Sequence, residues 1–169
     1  AGTWASNVDF GDEVTTEMDY YVGYAFEVSE GVELDFTYIY FLYAGQESSL
    51  NYSEFVAAVS IADLGLSLVY SPYYFGSDES AIIYNADYSF SLSENTSLDL
   101  HVGYTDTDNA AFGTDDADFD SYMDYSVGVS HGIAGVTLGL AYVGSDADDD
   151  DEFGEIAEGR VLFSISKDM

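Results

Sequence analysis

The feature that most constrains this chain is a strict alternation of apolar with polar or small residues, sustained over unusually long stretches. In EMDYYVGYAFEV (17–28), Glu17, Asp19, Gly23, Ala25 and Glu27 fall on one side of an extended strand. Met18, Tyr20, Val22, Tyr24, Phe26 and Val28 fall on the other. Successive strand side chains point to opposite faces, so such a ribbon is oily on one side and acidic or small on the other. Helical periodicity is not sustained anywhere. The alternation predicts ten strands, at about 2–8, 17–28, 32–43, 50–61, 64–75, 80–92, 96–106, 121–131, 136–145 and 159–168.

The connections alternate as regularly as the side chains. Tight turns are predicted at 29–31, 62–63, 94–95 and 132–135, with longer acidic links at 9–16, 44–49, 76–80, 107–120 and 146–158. Short turns at one end and long loops at the other are the pattern of up-and-down barrels of the outer membrane. A soluble β-sandwich gives the same alternation, with its apolar faces packed on each other. Strand length, hairpin connectivity and the tyrosines favour the barrel. Tyr20, Tyr21, Tyr40, Tyr43, Tyr52, Tyr73, Tyr74, Tyr84, Tyr104, Tyr122 and Tyr142 gather toward the long-loop ends, as amphipathic rings do at a membrane–water boundary. The expectation is therefore all-β: a single-domain (1–169) antiparallel transmembrane β-barrel of about ten strands. Tyr20, Tyr24, Phe26, Leu34, Phe36, Leu66, Leu100, Leu138 and Phe163 should face lipid.

Charge narrows the partners. Two Lys and Arg stand against 33 Asp and Glu, a net charge of −31. Nucleic acid, whose phosphates need basic neutralisation, is excluded, and cations or small solutes are the natural companions. An aromatic content of 17% argues against the disorder that such acidity otherwise implies. There is no cysteine, no apolar run long enough for a membrane-spanning helix, and no basic-then-apolar leader, which an exported chain has already lost.

The segments GTWASNVDFGDE (2–13), LNYSEF (50–55), VYSPYYFG (69–76), SLDLHVGY (97–104), GVTLGLAYVGSD (135–146) and RVLFSISKDM (160–169), in that order, resemble the TorF-type porin family of Gram-negative outer membranes. The resemblance implies an outer-membrane barrel with its acidic loops outside and lipid around it. Members of that family carry a further hairpin before the GTWASNV-like segment, which would give about twelve strands. A barrel lacking it would expose strand edges open to a neighbouring copy.

Three groups of residues bear on function, and none resembles a catalytic constellation, so no enzyme is expected. Glu17, Asp19, Glu27, Glu33, Asp35, Glu54, Asp87, Asp99, Asp124, His101 and Arg160 fall on the acidic face and would line the lumen, favouring cations. Glu27 should lie beside Glu33, with Val28 opposite Val32. Ten to twelve strands enclose less than a general diffusion porin does, so the passage would be narrow. The loop acids Asp115, Asp116, Asp118 and Asp120, and Asp146, Asp148, Asp149, Asp150, Asp151 and Glu152, offer oxygen ligands for Ca²⁺, though without EF-hand spacing. No cofactor is required; Ca²⁺ bridging would support self-assembly through loops or strand edges, the alternative to a pore. Finally, counting from the turn at 93–95 places Leu92 opposite Thr96 and Asp87 opposite His101. That is a cross-strand pair at mid-barrel, either structural or a pH-sensitive constriction.

Overall fold

The computed structural model describes residues 1–8, 14–44, 50–107, 121–149 and 157–167. Ten strands carry the fold: β1 (Gly2–Asn7), β2 (Thr16–Ser29), β3 (Val32–Ala44), β4 (Tyr52–Ile61), β5 (Leu64–Ser71), β6 (Ala81–Ser93), β7 (Thr96–Thr107), β8 (Ser121–Ile133), β9 (Val136–Ser145) and β10 (Arg160–Ser166). Each pairs antiparallel with its neighbours in sequence, so the sheet runs β1 to β10 in order. Among the described residues the sheet is not closed: β1 pairs only with β2, and β10 only with β9.

The fifth strand is shorter than the alternation predicts. It stops at Ser71, and the next residue is Pro72, which has no N–H to continue the ladder. The chain then folds into a short 3-10 turn, Tyr74–Gly76, in place of extended backbone. At the tight turns the backbone needs left-handed geometry, supplied by Gly31 (φ 74°), Ala62 (φ 52°) and the pair Ala134 (φ 53°) and Gly135 (φ 76°). Two hairpins carry a bulge that turn counting overlooked. Ser29, not Val28, faces Val32, and Ser93, not Leu92, faces Thr96. The extra residue is absorbed within the bulge, so Glu27 opposite Glu33 and Asp87 opposite His101 are as expected.

The two faces differ as the alternation requires. Tyr24, Phe36, Leu66 and Phe163 stand exposed on the apolar face, and no second layer covers them among the described residues. Tyr20, Tyr40, Tyr70, Tyr84, Tyr104 and Tyr142 form an exposed aromatic row on that face toward the long-loop end. A second aromatic set lies nearer the turns: Tyr24 stacks on Phe26 at 5.7 Å, Phe26 on Phe36 at 6.3 Å, and Tyr88 meets Phe90 at 4.4 Å. The polar face is the more enclosed. The most buried residues, among them Tyr43, Tyr52, Val69, Ser71, Tyr74, Ala81 and Thr105, gather on that side at the long-loop end.

That placement corrects the tyrosine expectation. Tyr21, Tyr43, Tyr52 and Tyr122 alternate with the apolar face and stand on the acidic side, facing Ile39, Glu17, Phe41 and Thr105 respectively. Tyr74 lies in the connection after β5 and packs with them.

Strand pairing also staggers progressively. One unbroken line of facing residues crosses the polar side: Glu27, Glu33, Ser60, Gly65, Asp87, His101, Ser126, Val143 and Arg160. Glu27 and Ser60 lie three and two residues before the first residue of their turns, whereas Asp87 and Ser126 lie seven and eight before theirs. The turns therefore descend relative to the hydrogen-bonding direction as the sheet is crossed.

Candidate functional site

The line of facing residues gathers many of the sequence-predicted site residues and gives the polar face an order. Glu27 and Glu33 oppose each other beside the first turn. Like charges at that spacing repel, and the structure offers a partial remedy: the Gly31 N–H donates to Glu27 Oε1 at 3.2 Å. At the middle stands His101, and at the far end Arg160, the first residue of β10, faces Val143 and donates from Nε to the Glu158 carbonyl at 3.3 Å.

His101 is held from two strands. Its Nδ1 lies 2.7 Å from Asp87 Oδ1 on β6, and its Nε2 lies 3.0 Å from Asp124 Oδ1 on β8. A neutral imidazole has one N–H and an imidazolium two, so both carboxylates are satisfied together only by the charged ring. Turn counting found Asp87 but not the second partner. Asp124 faces Gly103, two residues along from His101, and reaches the histidine diagonally. Gly103 is what permits this: a Cβ there would run into the Asp124 carboxylate and come within 3.1 Å of Asn85 Oδ1. The sequence signal was available, since a glycine opposite an acid leaves that acid free to lean toward its diagonal neighbour. His131, the other histidine, faces Thr96 and bonds its Oγ1 at 2.9 Å, away from this site.

Two other acids of the polar face have hydroxyl partners of their own. Asp35 accepts from Thr37 Oγ1 at 2.7 Å, and Asp99 from Ser89 Oγ at 2.6 Å. Beside the clamp, His101, Asp124, Ser126, Ser145, Glu158 and Arg160 border a recess of about 380 Å³. Toward the long loops the same face turns aromatic. Glu17 faces Tyr43, Asp19 faces Phe41, and Glu54 faces Ile39. The Tyr43 ring stacks on Tyr52 at 6.3 Å, while Asp19 Oδ1 is fully covered and has no hydrogen-bond partner among the described residues. These three acids thus stand among aromatic and apolar side chains of the polar face.

Of the candidate Ca²⁺ ligands, Asp115, Asp116, Asp118, Asp120, Asp150, Asp151 and Glu152 lie outside the described residues. Asp146, Asp148 and Asp149 fall in a short 3-10 turn, Asp146–Asp149, where Asp146 Oδ1 accepts the Met123 N–H at 2.6 Å. Among the described residues no group of three or more His, Asp or Glu is arranged to hold a metal ion. No described helix is long and apolar enough to cross a membrane, which says nothing of strands.

Over residues 1–168 the chain matches the model of a family described as bacterial protein of unknown function (Gcw_chp). The chain belongs to that family. No curated protein and no solved structure matches it. The Gcw_chp description names no activity, so the chemistry of the two faces is what bears on function.

Proposed function

We propose that this member of the Gcw_chp family is an outer-membrane β-barrel that passes small cationic or neutral solutes through an acidic lumen. The observation that carries the reading is the uncovered apolar face of a sheet built from strands as long as 13 and 14 residues. Large contiguous apolar surfaces are rare on soluble monomers; lipid is the solvent that suits one.

Two quantities support it. A stagger of five residues over the six strand steps from β2 to β8, at ~3.3 Å rise and ~4.8 Å spacing, corresponds to strands tilted about 30° if the turns share one level, close to the ~35–45° of barrels. The outward apolar positions run from Ile61 and Ile133 beside their turns to Tyr20 and Tyr84, ten residues before theirs. At that tilt the belt is about 26 Å high, against ~25 Å for the apolar band of outer-membrane barrels. The outward face then turns polar at Thr16, Ser53, Asp106 and Ser121. The sequence resemblance to TorF-type porins points the same way. Acids on the opposite face favour cations.

The test is reconstitution into planar bilayers. A cation-selective conductance is expected; a protein that leaves the membrane on alkaline extraction and never conducts would overturn the reading. A second reading, a structural barrel assembling into oligomers, rests on the edge strands β1 and β10, each paired on one side only among the described residues. Concentration-dependent crosslinking between cysteines placed at Thr3 and Phe163, both on the apolar face, would favour it over the pore.

A further inference from the structure

The connection between β5 and β6 does not extend away from the sheet. After Pro72 it turns back over the polar face, and its 3-10 turn is tied together by several bonds. The Tyr74 N–H donates to the Glu79 carbonyl at 2.9 Å, Ser77 Oγ donates to the Tyr74 carbonyl at 2.7 Å, and the Glu79 N–H donates to Ser77 Oγ at 3.2 Å. Phe75 is held at φ 50°, a left-handed conformation uncommon for a non-glycine residue, followed by Gly76 at φ 69°. Connections ordinarily run over the surface. This one buries an aromatic ring, for Tyr74 is only 4% exposed.

What covers Tyr74 spans the mouth of the polar face. Its ring meets Tyr52 of β4 edge-on at 5.9 Å and Phe75 at 4.7 Å. Tyr52 stacks on Phe41 at 4.5 Å and on Tyr43 at 6.3 Å, both from β3, and Val14 closes the cluster from before β2. On the other side the Tyr74 hydroxyl lies 3.1 Å from that of Tyr122 on β8. Strands β4 and β8 are four apart in the sheet, so this single side chain links distant parts of the same face. Burial among these rings pushes the Tyr74 phenol well above its usual range, so it remains a hydroxyl at any ordinary pH and the bridge is not a titrating switch. Below the bridge, toward the turns, the aromatic rings of the polar face give way to small residues, Ala58, Gly65, Ser67 and Gly103, set among the polar side chains of Asn85, Asp87 and His101.

We propose that Tyr74, anchored by Tyr122, is the constriction that sets the size limit of the passage at its long-loop mouth. The inference rests on the pore reading above. A passage lined in part by small residues and narrowed further by an aromatic bridge at its mouth passes ions and compact neutral solutes and rejects bulkier ones, whatever the charge of the acids beneath. The residue acts by occupying space, and Tyr122 acts by holding it there.

The full chain, refolded into bilayers and liposomes, tests this with Tyr74→Ala and Tyr122→Phe. Potassium chloride conductance and liposome swelling in mono-, di- and trisaccharides are the readouts, with heat-dependent gel mobility as the check on folding. Tyr74→Ala should raise conductance severalfold and admit a saccharide that the parent excludes. Tyr122→Phe, which keeps the packing and loses the bridge, should give an intermediate conductance with greater current noise, and it serves alone if Tyr74→Ala does not fold. A silent parent whose Tyr74→Ala variant conducts would equally support the assignment. A conducting parent with folded variants unchanged in conductance and cutoff would overturn this inference and leave the pore reading intact. Silence from parent and variants alike would overturn the pore reading and the inference with it.

Discussion

At the scale of single residues, His101 has the arrangement with the clearest consequence. It stands between Asp87 and Asp124 on the two flanking strands, with Asp99 two residues along the same face of β7 and Glu158 and Arg160 lining the recess beside it. Histidine titrates within about pH 5 to 8. As pH falls through that range the ring gains a positive charge and the polar face becomes less negative, so cation selectivity should fall. His101→Ala should flatten that dependence, read as reversal potential under a salt gradient at successive pH values. An unchanged pH profile would remove His101 from the passage. Asp124→Asn should retain the fold and weaken the clamp. Its pH profile should shift away from the parent's, since one of the two carboxylates on the imidazolium is lost. Gly135 tests the backbone. At φ 76° with nothing within 4 Å of a built Cβ, Gly135→Ala meets no clash but forces a left-handed alanine, for about 1 kcal/mol of lost stability in denaturant titration.

At the scale of strands, the sidedness of β5 and β7 can be set against itself. Leu100 and Leu66 belong to the apolar face, and Gly65 to the polar one, where a Cβ would meet only Asp87 Cβ at 3.7 Å. An arginine at Leu100 would place a charge in the apolar belt, at a cost of about 2–4 kcal/mol if that belt meets lipid. Gly65→Arg puts the same group beside Asp87 and should be far milder. Unfolding both variants from liposomes with denaturant checks this, and equal destabilisation would show that the two faces do not meet different solvents. The hairpins show how such sidedness survives local irregularity. The bulges at Val28 and Leu92 each insert a residue next to the turn, yet the facing sets of β2 with β3 and of β6 with β7 are those that alternation assigns.

At the scale of the whole molecule, acidity and edges pose the larger questions. The net charge of −31 concentrates partly in the segments about 107–120 and 146–158. If Ca²⁺ bridges those acids between copies, excess chelator should lower the melting temperature or dissociate an oligomer in size-exclusion chromatography. An unchanged melting temperature and mass would leave a solvated charge and no more. The acids of the polar face are placed differently: Glu27, Glu33 and Asp87 share one line of facing residues with His101 and Arg160, and Glu17, Asp19, Asp35, Glu54, Asp99 and Asp124 stand at other levels of the same face. Their effect on a permeating ion is a field along a path, and raising the salt concentration should reduce selectivity as that field is screened.

The sequence by itself determined most of what is local. Period-two alternation assigned each strand its faces, because side chains cannot leave the pleat. Short turns fixed register closely enough to set Glu27 against Glu33 and Asp87 against His101. The same parity already put Tyr43 and Tyr52 with the acids; grouping tyrosines by type alone obscured it. Tertiary structure decided the rest. Whether Asp124 or Ser126 answers the second histidine nitrogen depends on side-chain reach across a twisted sheet and on the space left by Gly103. Tyr74 lies beyond the end of β5, where alternation no longer applies. Its burial between Tyr52 and Tyr122 follows from the curvature that brings β4, β8 and the intervening connection over one face. Alternation is a property of neighbours in the chain, and a constriction is a property of strands brought together from across the sheet.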